Sequence, residues 1–209
     1  MQKQQINQIF TIFAKENKEP KTELIAPNEF TLLVAIVLSA QATDVGVNKA
    51  TKALFRDAAT PEEINALGEE KLKSYIKTIG LYNSKAKNVI LLSKMLLEQN
   101  NIIPDNVEDL QKFPGVGRKT ANVFLNCARK KLTIGVDTHV QRVSNRIGLV
   151  KSKNTLQTEK QLLKKLPKEW LLYAHHWLIL HGRYICKARK PLCIECKIYS
   201  LCKFKEKTY

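Results

Sequence analysis

The sequence lacks the segments that would carry a protein into or across a membrane. Its longest apolar run, residues 30–40, is too short to span a bilayer. Residues 1–20 distribute their apolar side chains around a helical face instead of forming the apolar block of a secretory signal. Neither a myristoylation start nor a C-terminal prenylation motif is present. These absences predict a cytoplasmic protein that binds no membrane.

Acidic residues are scarce relative to basic ones. The chain has 35 Lys and Arg against 19 Asp and Glu, which leaves a net charge of +16, and no single tail carries the excess. Neutralising phosphates with release of condensed counterions would give such a protein an affinity for polyanions that falls steeply with salt. A cationic membrane-surface protein would instead need a basic amphipathic helix or a lipid anchor. The charge therefore predicts a nucleic-acid partner, in the cytoplasm or associated with the nucleoid.

Strand-like alternation is nearly absent, and only residues 133–136 read as extended. Apolar residues recur at intervals of three and four, which predicts an all-α fold of two lobes. Thr60 and Glu63 form a capping box that starts a helix, and Gly80 is placed to end the helix that carries Leu72. We expect further helices at about residues 44–56, 84–100, 106–112, 118–130, 138–147, 155–165 and 168–181.

Four cysteines near the end of the chain form a compact set of thiol donors. The pattern is Cys186-x6-Cys193-x2-Cys196-x5-Cys202. Four cysteine sulfurs are the usual ligands of a [4Fe-4S] cluster, and this spacing lets one short loop surround it. A zinc site generally offers two separated C-x2-C pairs, and only Cys193 and Cys196 have that spacing. The spacing favours an iron-sulfur cluster and leaves zinc, disulfides or unligated thiols open.

The segment Phe113–Thr120, FPGVGRKT, joins two helical patterns through a Gly-x-Gly turn. Gly115 and Gly117 permit close approach of the backbone, and the helix that follows offers N–H groups and a dipole that favour an anion. Val116 would anchor the turn in the core, and Arg118 would contribute charge. Two glycines can also serve only as a local helix cap. With basic residues and helices around them, we interpret the segment as a helix-hairpin-helix that binds the DNA backbone.

Lys119 and Asp137 are the candidate catalytic residues. Lys119 lies in the first turn of the helix after the hairpin, where it is either one more phosphate contact or a nucleophile. An amine near a helix N-terminus and other cations is easier to deprotonate, and it can form a Schiff base with a sugar aldehyde. Asp137 is well placed as a helix N-cap, and a carboxylate fixed there could also stabilise positive charge on a deoxyribose or assist proton transfer.

In these residues the chain resembles the endonuclease III family, DNA glycosylases with an associated abasic-site lyase activity. The resemblance spans nearly the whole length and rests on the ordered blocks LLVAIVLSAQATDVGVNKAT, YIKTIGLYNSKA, FPGVGRKTANV, VDTHVQRVSNR and HHWLILHGRYIC, followed by the four-cysteine loop. Phe113 departs from the family, which more often has Leu there, but both side chains fill an apolar site.

The resemblance implies a two-lobe fold with DNA bound across the cleft. A six-helix lobe at residues 22–132 would carry the hairpin, and residues 1–21 with 133–209 would form a discontinuous lobe around the [4Fe-4S] cluster. Lys119 matches the family's nucleophile and Asp137 its essential aspartate. Gln41 matches a residue that fills the gap left by a flipped nucleotide, and Leu81 a wedge on the opposite strand.

The expected activity follows from the same resemblance. An oxidised pyrimidine in double-stranded DNA would be removed by attack of Lys119 on C1′, and β-elimination would then cleave 3′ to the abasic site. Lys187, Arg189 and Lys190, between the first two cysteines, would dock on phosphates, although such a charge run can also be a solvated face. We expect a monomer.

Two other functions remain open from the sequence. A mismatch adenine glycosylase of the same fold would lack a lysine at position 119 and would carry a catalytic glutamate where Ala40 and Gln41 stand. It would also usually extend into a further recognition domain, whereas here seven residues follow Cys202. A non-enzymatic iron-sulfur DNA-binding or electron-transfer protein would not need Lys119 and Asp137 together.

Overall fold

The structure, a computed structural model, describes residues 1–208. Over these residues it is all-helical and contains no β-strand, which confirms the expected fold class. None of the helices described has the length and apolarity needed to cross a bilayer. In chain order the eleven helices are α1 (Lys3–Glu16), α2 (Glu29–Leu38), α3 (Asp44–Asp57), α4 (Pro61–Leu67), α5 (Glu69–Ile76), α6 (Tyr82–Glu98), α7 (Val107–Leu110), α8 (Arg118–Arg129), α9 (Thr138–Ile147), α10 (Thr155–Lys165) and α11 (Lys168–Tyr184).

The chain divides into two compact units, each with its own core. One is continuous, Thr22–Arg129, and the other combines Met1–Lys21 with the chain from Lys130 onward. The division falls where α8 ends, at Lys130, whose φ of 54° is left-handed and cannot continue a right-handed helix. The boundary inferred from the sequence, between residues 132 and 133, lies three residues further along the chain.

The unit Thr22–Arg129 is built around α2. Eight of the ten residues of α2 are buried, as expected for a helix that is apolar on all sides and packed among others. Asn28 caps it by accepting a hydrogen bond from the backbone N–H of Thr31 at 2.8 Å. The unit contains six helices of seven residues or more and the single-turn α7, which is shorter than the expected helix at 106–112. The largest fully buried side chains of this core include Leu33, Leu38, Leu54, Leu92 and Phe124.

The capping box at Thr60 and the predicted helix end at Gly80 belong to two separate helices, α4 and α5. Thr60 caps α4, accepting from the N–H of Glu63 at 3.2 Å, as the capping box predicts. The chain then breaks at Gly68, whose φ of 76° is open to glycine but costly for other residues, and α5 begins directly after it. α5 ends at Ile76, four residues before Gly80, because a tight turn occupies the intervening residues.

The other unit packs α1 against α11 through aromatic rings. The ring of Phe10, fully buried, lies 6.1 Å from that of Trp170 and 5.9 Å from that of Trp177. Both indoles donate hydrogen bonds, Trp170 to the side chain of Asn7 at 3.1 Å and Trp177 to the carbonyl of Asn17 at 2.8 Å. These rings form a core, which positions α11 beside α9 and places the cysteine loop after α11.

Candidate functional site

The four cysteines of the loop line a single cavity. Cys186, Cys193, Cys196 and Cys202 are free thiols, and Cys186 is buried. The remaining wall is almost entirely apolar and consists of Ile147, His181, Ile185, Pro191, Leu192 and Phe204. A low-dielectric wall around four sulfurs excludes water from whatever they bind. The structure thus brings together the four cysteines that the sequence grouped, whereas Cys127 lies on α8 and packs against the core of the other unit.

The cavity can be compared with the metal sites that the spacing left open. A zinc site needs four donors around one point, whereas a [4Fe-4S] cluster takes one sulfur at each of four irons. Four thiols that line one apolar cavity fit the ligand set of such a cluster.

Burial changes the acidity of two of these thiols. It raises the pKa of Cys196 to about 11 and also raises that of Cys202. Desolvation disfavours the thiolate in both cases. Because cysteine binds iron as the thiolate, loading of this site must release protons.

Two arginines of α9 hold the start of the cysteine loop. Arg142 donates to the carbonyls of Gly182 at 2.8 Å and Cys186 at 3.1 Å. Arg146 donates to the carbonyls of Lys187 at 2.7 Å and Ala188 at 3.0 Å, and its guanidinium lies 4.5 Å from the centre of the Phe204 ring. Charged donors form the stronger hydrogen bonds, so these contacts fix the loop backbone.

The fixed backbone leaves the basic side chains of the loop facing solvent. Lys187, Arg189 and Lys190 are all exposed, and Lys190 has a left-handed φ of 49°. The contacts of this segment to α9 are made by the carbonyls of Lys187 and Ala188. The three cations are thus presented on a constrained loop, as a phosphate-docking surface requires.

Two side-chain nitrogens lie close to sulfurs of the cavity. Nη1 of Arg146 lies 3.7 Å from Sγ of Cys186, and Nε2 of His181 lies 3.7 Å from Sγ of Cys196. Burial lowers the pKa of His181 to about 4, so its imidazole is neutral at pH 7. Hydrogen bonds to ligating sulfurs tune a bound cluster. Sequence reasoning missed both arginines and the role of His181; the only available signal was the pair Arg142 and Arg146 on one face of α9.

Asp137 is the N-cap of α9. Its Oδ1 accepts a hydrogen bond from the backbone N–H of Val140 at 2.9 Å, and its Oδ2 lies 3.7 Å from Nδ1 of His139. The preceding segment is held by Nδ1 of His175, a buried residue, which lies 2.6 Å from the carbonyl oxygen of Gly135. The N-cap predicted from the sequence is confirmed, and the carboxylate is fixed in direction.

The Gly-x-Gly turn is constrained at one glycine and open at the other. Gly115 has a φ of 80°, and a Cβ there would lie 3.0 Å from Val37 and 3.1 Å from Asn88. Gly117 has no atom within 4 Å of the corresponding position. Val116 and Phe113 are buried and anchor the turn. The open space at Gly117 lies where α8 begins, which is where a phosphate would approach.

Arg118 and Lys119 are the first two residues of α8, and both side chains are exposed. The helix is set by the hydrogen bond from the N–H of Ala121 to the carbonyl of Gly117, at 3.0 Å.

Gln41 and Leu81 share an unusual backbone. Their φ values are 54° and 61°, both left-handed, and both side chains are exposed, Leu81 by 58%. The two turns adjoin, because a Cβ on Gly80 would lie 4.0 Å from the carbonyl oxygen of Gln41. A left-handed backbone is strained at residues such as Gln41 and Leu81, and strained residues cluster at functional sites.

The unit Thr22–Arg129 thus holds Lys119, the hairpin, Gln41 and Leu81, and the other unit holds Asp137, the cysteines and the loop cations. Residues 34–168 match the description "HhH-GPD superfamily base excision DNA repair protein". Endonuclease III of Rickettsia prowazekii is 58% identical over 210 residues, covering 100% of this chain and 99% of that protein. The chain belongs to the endonuclease III family.

Other members of this family are similarly close. Endonuclease III of Escherichia coli K12 is 54% identical over 201 residues, covering 96% of this chain and 95% of that protein. A solved structure of a trapped endonuclease III–DNA covalent intermediate is 44% identical, with a TM-score of 0.90 over 97% of this chain and 96% of that one. A thermostable thymine-DNA glycosylase, 22% identical with a TM-score of 0.82, shares the fold. The chain is thus a base excision DNA repair enzyme of the endonuclease III family.

The two glycines of the turn should respond differently to substitution. Gly115→Ala should lower the free energy of unfolding by about 1–3 kcal/mol, because a Cβ there is both crowded and in a left-handed conformation. Gly117→Ala, the matched control, should change it by less than about 0.5 kcal/mol. Denaturant unfolding of both variants measures the difference, and equal losses would contradict the geometry of the turn.

Proposed function

We propose that this enzyme removes oxidised pyrimidines from double-stranded DNA and then cleaves 3′ to the abasic site, acting as a monomer. The observation that carries the proposal is an exposed lysine, Lys119, in the first turn of α8, directly after a glycine turn that leaves room for a phosphate. A phosphate held there would bring the sugar-backbone of the damaged strand to the amine. The trapped covalent endonuclease III–DNA structure, to which the chain is similar, is consistent with chemistry of this class.

Lys119 supplies the nucleophile in this proposal. Its neutral amine attacks C1′ of the flipped nucleotide, the C1′–N bond breaks, and the base departs. The amine on C1′ then loses a proton and the C1′–O4′ bond breaks with protonation of O4′, which opens the sugar ring and leaves a Schiff base that makes the proton on C2′ acidic. Loss of that proton and breakage of the 3′ C–O bond cleave the strand, and hydrolysis of the Schiff base releases the enzyme.

Asp137 supplies a fixed negative charge. One carboxylate oxygen is engaged by the N–H of Val140, so the charge keeps its position while the reaction proceeds. A carboxylate stabilises the positive charge that develops on the deoxyribose as the base leaves, and it can accept a proton from the attacking amine. Because α9 already orients this carboxylate, the group needs little reorganisation during the reaction.

Gln41 and Leu81 fill the space that the flipped nucleotide vacates. Extruding a base costs a few kcal/mol of stacking and pairing, and side chains that occupy the gap offset part of that cost. The two adjoining left-handed turns present one polar and one apolar side chain. An amide can replace hydrogen bonds of the orphaned base, and an exposed leucine can stack against its neighbour.

The four-cysteine cavity holds a [4Fe-4S] cluster in this proposal. Cys186, Cys193, Cys196 and Cys202 would ligate it, and it would supply a rigid scaffold that fixes the loop from inside. Arg142 and Arg146 fix the same loop from α9. Lys187, Arg189 and Lys190 then dock on DNA phosphates without first losing the freedom of a flexible loop.

Replacing Lys119 should remove covalent capture of DNA. Wild-type protein reduced with borohydride on DNA that contains an abasic site or an oxidised pyrimidine should form a covalent adduct, because the Schiff base is reducible. Lys119→Ala should form none while still binding DNA. Lys112→Ala, a control that removes an exposed lysine before the turn, should trap normally. Denaturing electrophoresis measures the adduct, and trapping by Lys119→Ala would refute the assignment.

The two roles of Asp137 can be separated by two substitutions. Asp137→Asn keeps a capping oxygen for the N–H of Val140, so stability should change little, while single-turnover base removal should fall by about 10²–10⁴-fold. Asp137→Ala should lose the same activity and also about 1 kcal/mol of stability. If Asp137→Asn retains full activity, the carboxylate has only a capping role.

Metal analysis tests the cluster directly. Purified protein should contain about four iron atoms per chain and absorb broadly near about 400 nm. Cys196→Ser should lose iron, whereas Cys127→Ser, outside the loop, should keep it. Stoichiometric zinc without iron in protein purified without oxygen would overturn the cluster assignment.

A further inference from the structure

Lys85 is a buried cation whose ammonium group donates a hydrogen bond to none of the residues described. Its side chain is 5% exposed, and its Nζ is inaccessible to solvent without a hydrogen-bond partner. Burial lowers its pKa. An ammonium group that is desolvated and unpaired is strongly unfavourable, and native proteins rarely keep one without a compensating role.

The residue lies in the opening turns of α6. The first hydrogen bond of this helix joins the N–H of Lys85 to the carbonyl of Leu81, at 3.0 Å. The N–H groups of Tyr82, Asn83 and Ser84 therefore precede the intrahelical pattern. Leu81 provides no side-chain cap, and the first turn contains no acidic residue. Neither a side-chain cap nor an acidic residue therefore compensates the positive end of the α6 dipole.

The position of Lys85 in the first turns of α6 puts this helix start within reach of its flexible side chain. Side chains in an α-helix lean toward the N-terminus and cover the preceding turn. Turned outward, the ammonium of Lys85 would therefore lie beside the backbone N–H groups of the first turn. One anion located there would pair with the ammonium and accept from the N–H groups.

Neighbours on the same face indicate which anion. Leu81, Lys85 and Asn88 are spaced by four and three residues, so they form one face of α6. Leu81 is the exposed wedge candidate, and Asn88 lies 3.1 Å from the position of a Cβ on Gly115 in the hairpin. Lys85 is therefore located between two features that the proposed function assigns to DNA.

We propose that the start of α6 and Lys85 bind one phosphate of the DNA backbone, adjacent to the Leu81 wedge. On docking, the flexible side chain turns outward and exchanges an unpaired buried position for an ion pair. Asn83 and Ser84 of the same turn are exposed, so the helix start is open to solvent. The inference rests on the proposed binding of DNA by this unit and adds a residue to it.

The proposal makes two predictions of opposite sign for Lys85→Met. The variant keeps the length of the side chain and removes the charge, so its melting temperature should rise above that of the wild type. Its affinity for a duplex with a non-cleavable abasic analogue should fall by about tenfold. The slope of log K against log salt should decrease by about 0.9, as for one lost phosphate contact.

Lys94→Met is the matched control. Lys94 is exposed on the same helix, about 13 Å further along its axis at roughly 1.5 Å per residue. Its removal changes net charge equally and should leave both the salt slope and the melting temperature close to those of the wild type. If the slope of log K against log salt is the same for Lys85→Met and Lys94→Met, Lys85 contacts no phosphate. A lower melting temperature for Lys85→Met would mean that the amine makes a stabilising contact, and it would overturn the premise.

A scan of the DNA locates the phosphate without any variant of the protein. Single methylphosphonates, which are neutral, should weaken binding of the wild type at one position near the lesion and should weaken binding of Lys85→Met there by less, because only the backbone N–H contacts remain in the variant. A wild-type scan with no Lys85-dependent position would refute the proposal. Because these measurements use binding to uncleavable DNA, they are independent of whether the wild type removes bases or forms a Schiff base.

Discussion

Backbone N–H groups in the first turn of a helix have no partner within that helix, and this constraint governs the candidate contacts of the protein. At α9, Asp137 accepts from the N–H of Val140, so the helix is capped by the residue proposed to assist catalysis. α8 starts from Gly117, which has no side chain with which to cap it, and it is followed by two exposed cations. α6 starts from Leu81 without a side-chain cap. The free N–H groups at the starts of α6 and α8 are therefore suited to bind an anion of a ligand. Those at the start of α9 are instead capped by the carboxylate of Asp137.

Helix α9 connects two functions within its unit. Its first turn orients Asp137, and Arg142 and Arg146 hold the backbone that follows α11. The same arginine that bonds the loop carbonyls also lies against the sulfur of Cys186. One helix of ten residues thus carries both the contacts that hold the cysteine loop and, at its first turn, the proposed catalytic group.

Local signals in the sequence were sufficient where one short segment determines the outcome. The capping box at Thr60, the N-cap at Asp137 and the anchoring of Val116 were all read from neighbouring residues, and the structure has each of them. The break at Gly68 was missed because an isolated glycine does not by itself end a helical pattern. The arginines of α9 and the buried state of Lys85 were missed because charged residues at helical spacing usually indicate a solvated face.

The sequence by itself determined the helical class, the four-cysteine set and the family, since periodicity and ordered motifs are properties of the chain. Tertiary structure alone decided that Gly115 is crowded while Gly117 is open, that the turns of Gln41 and Gly80 adjoin, and that the ammonium of Lys85 is buried without a partner. These properties depend on distances between residues far apart in the chain and on the exclusion of water. Both are set by packing of complete helices, and no local pattern encodes them.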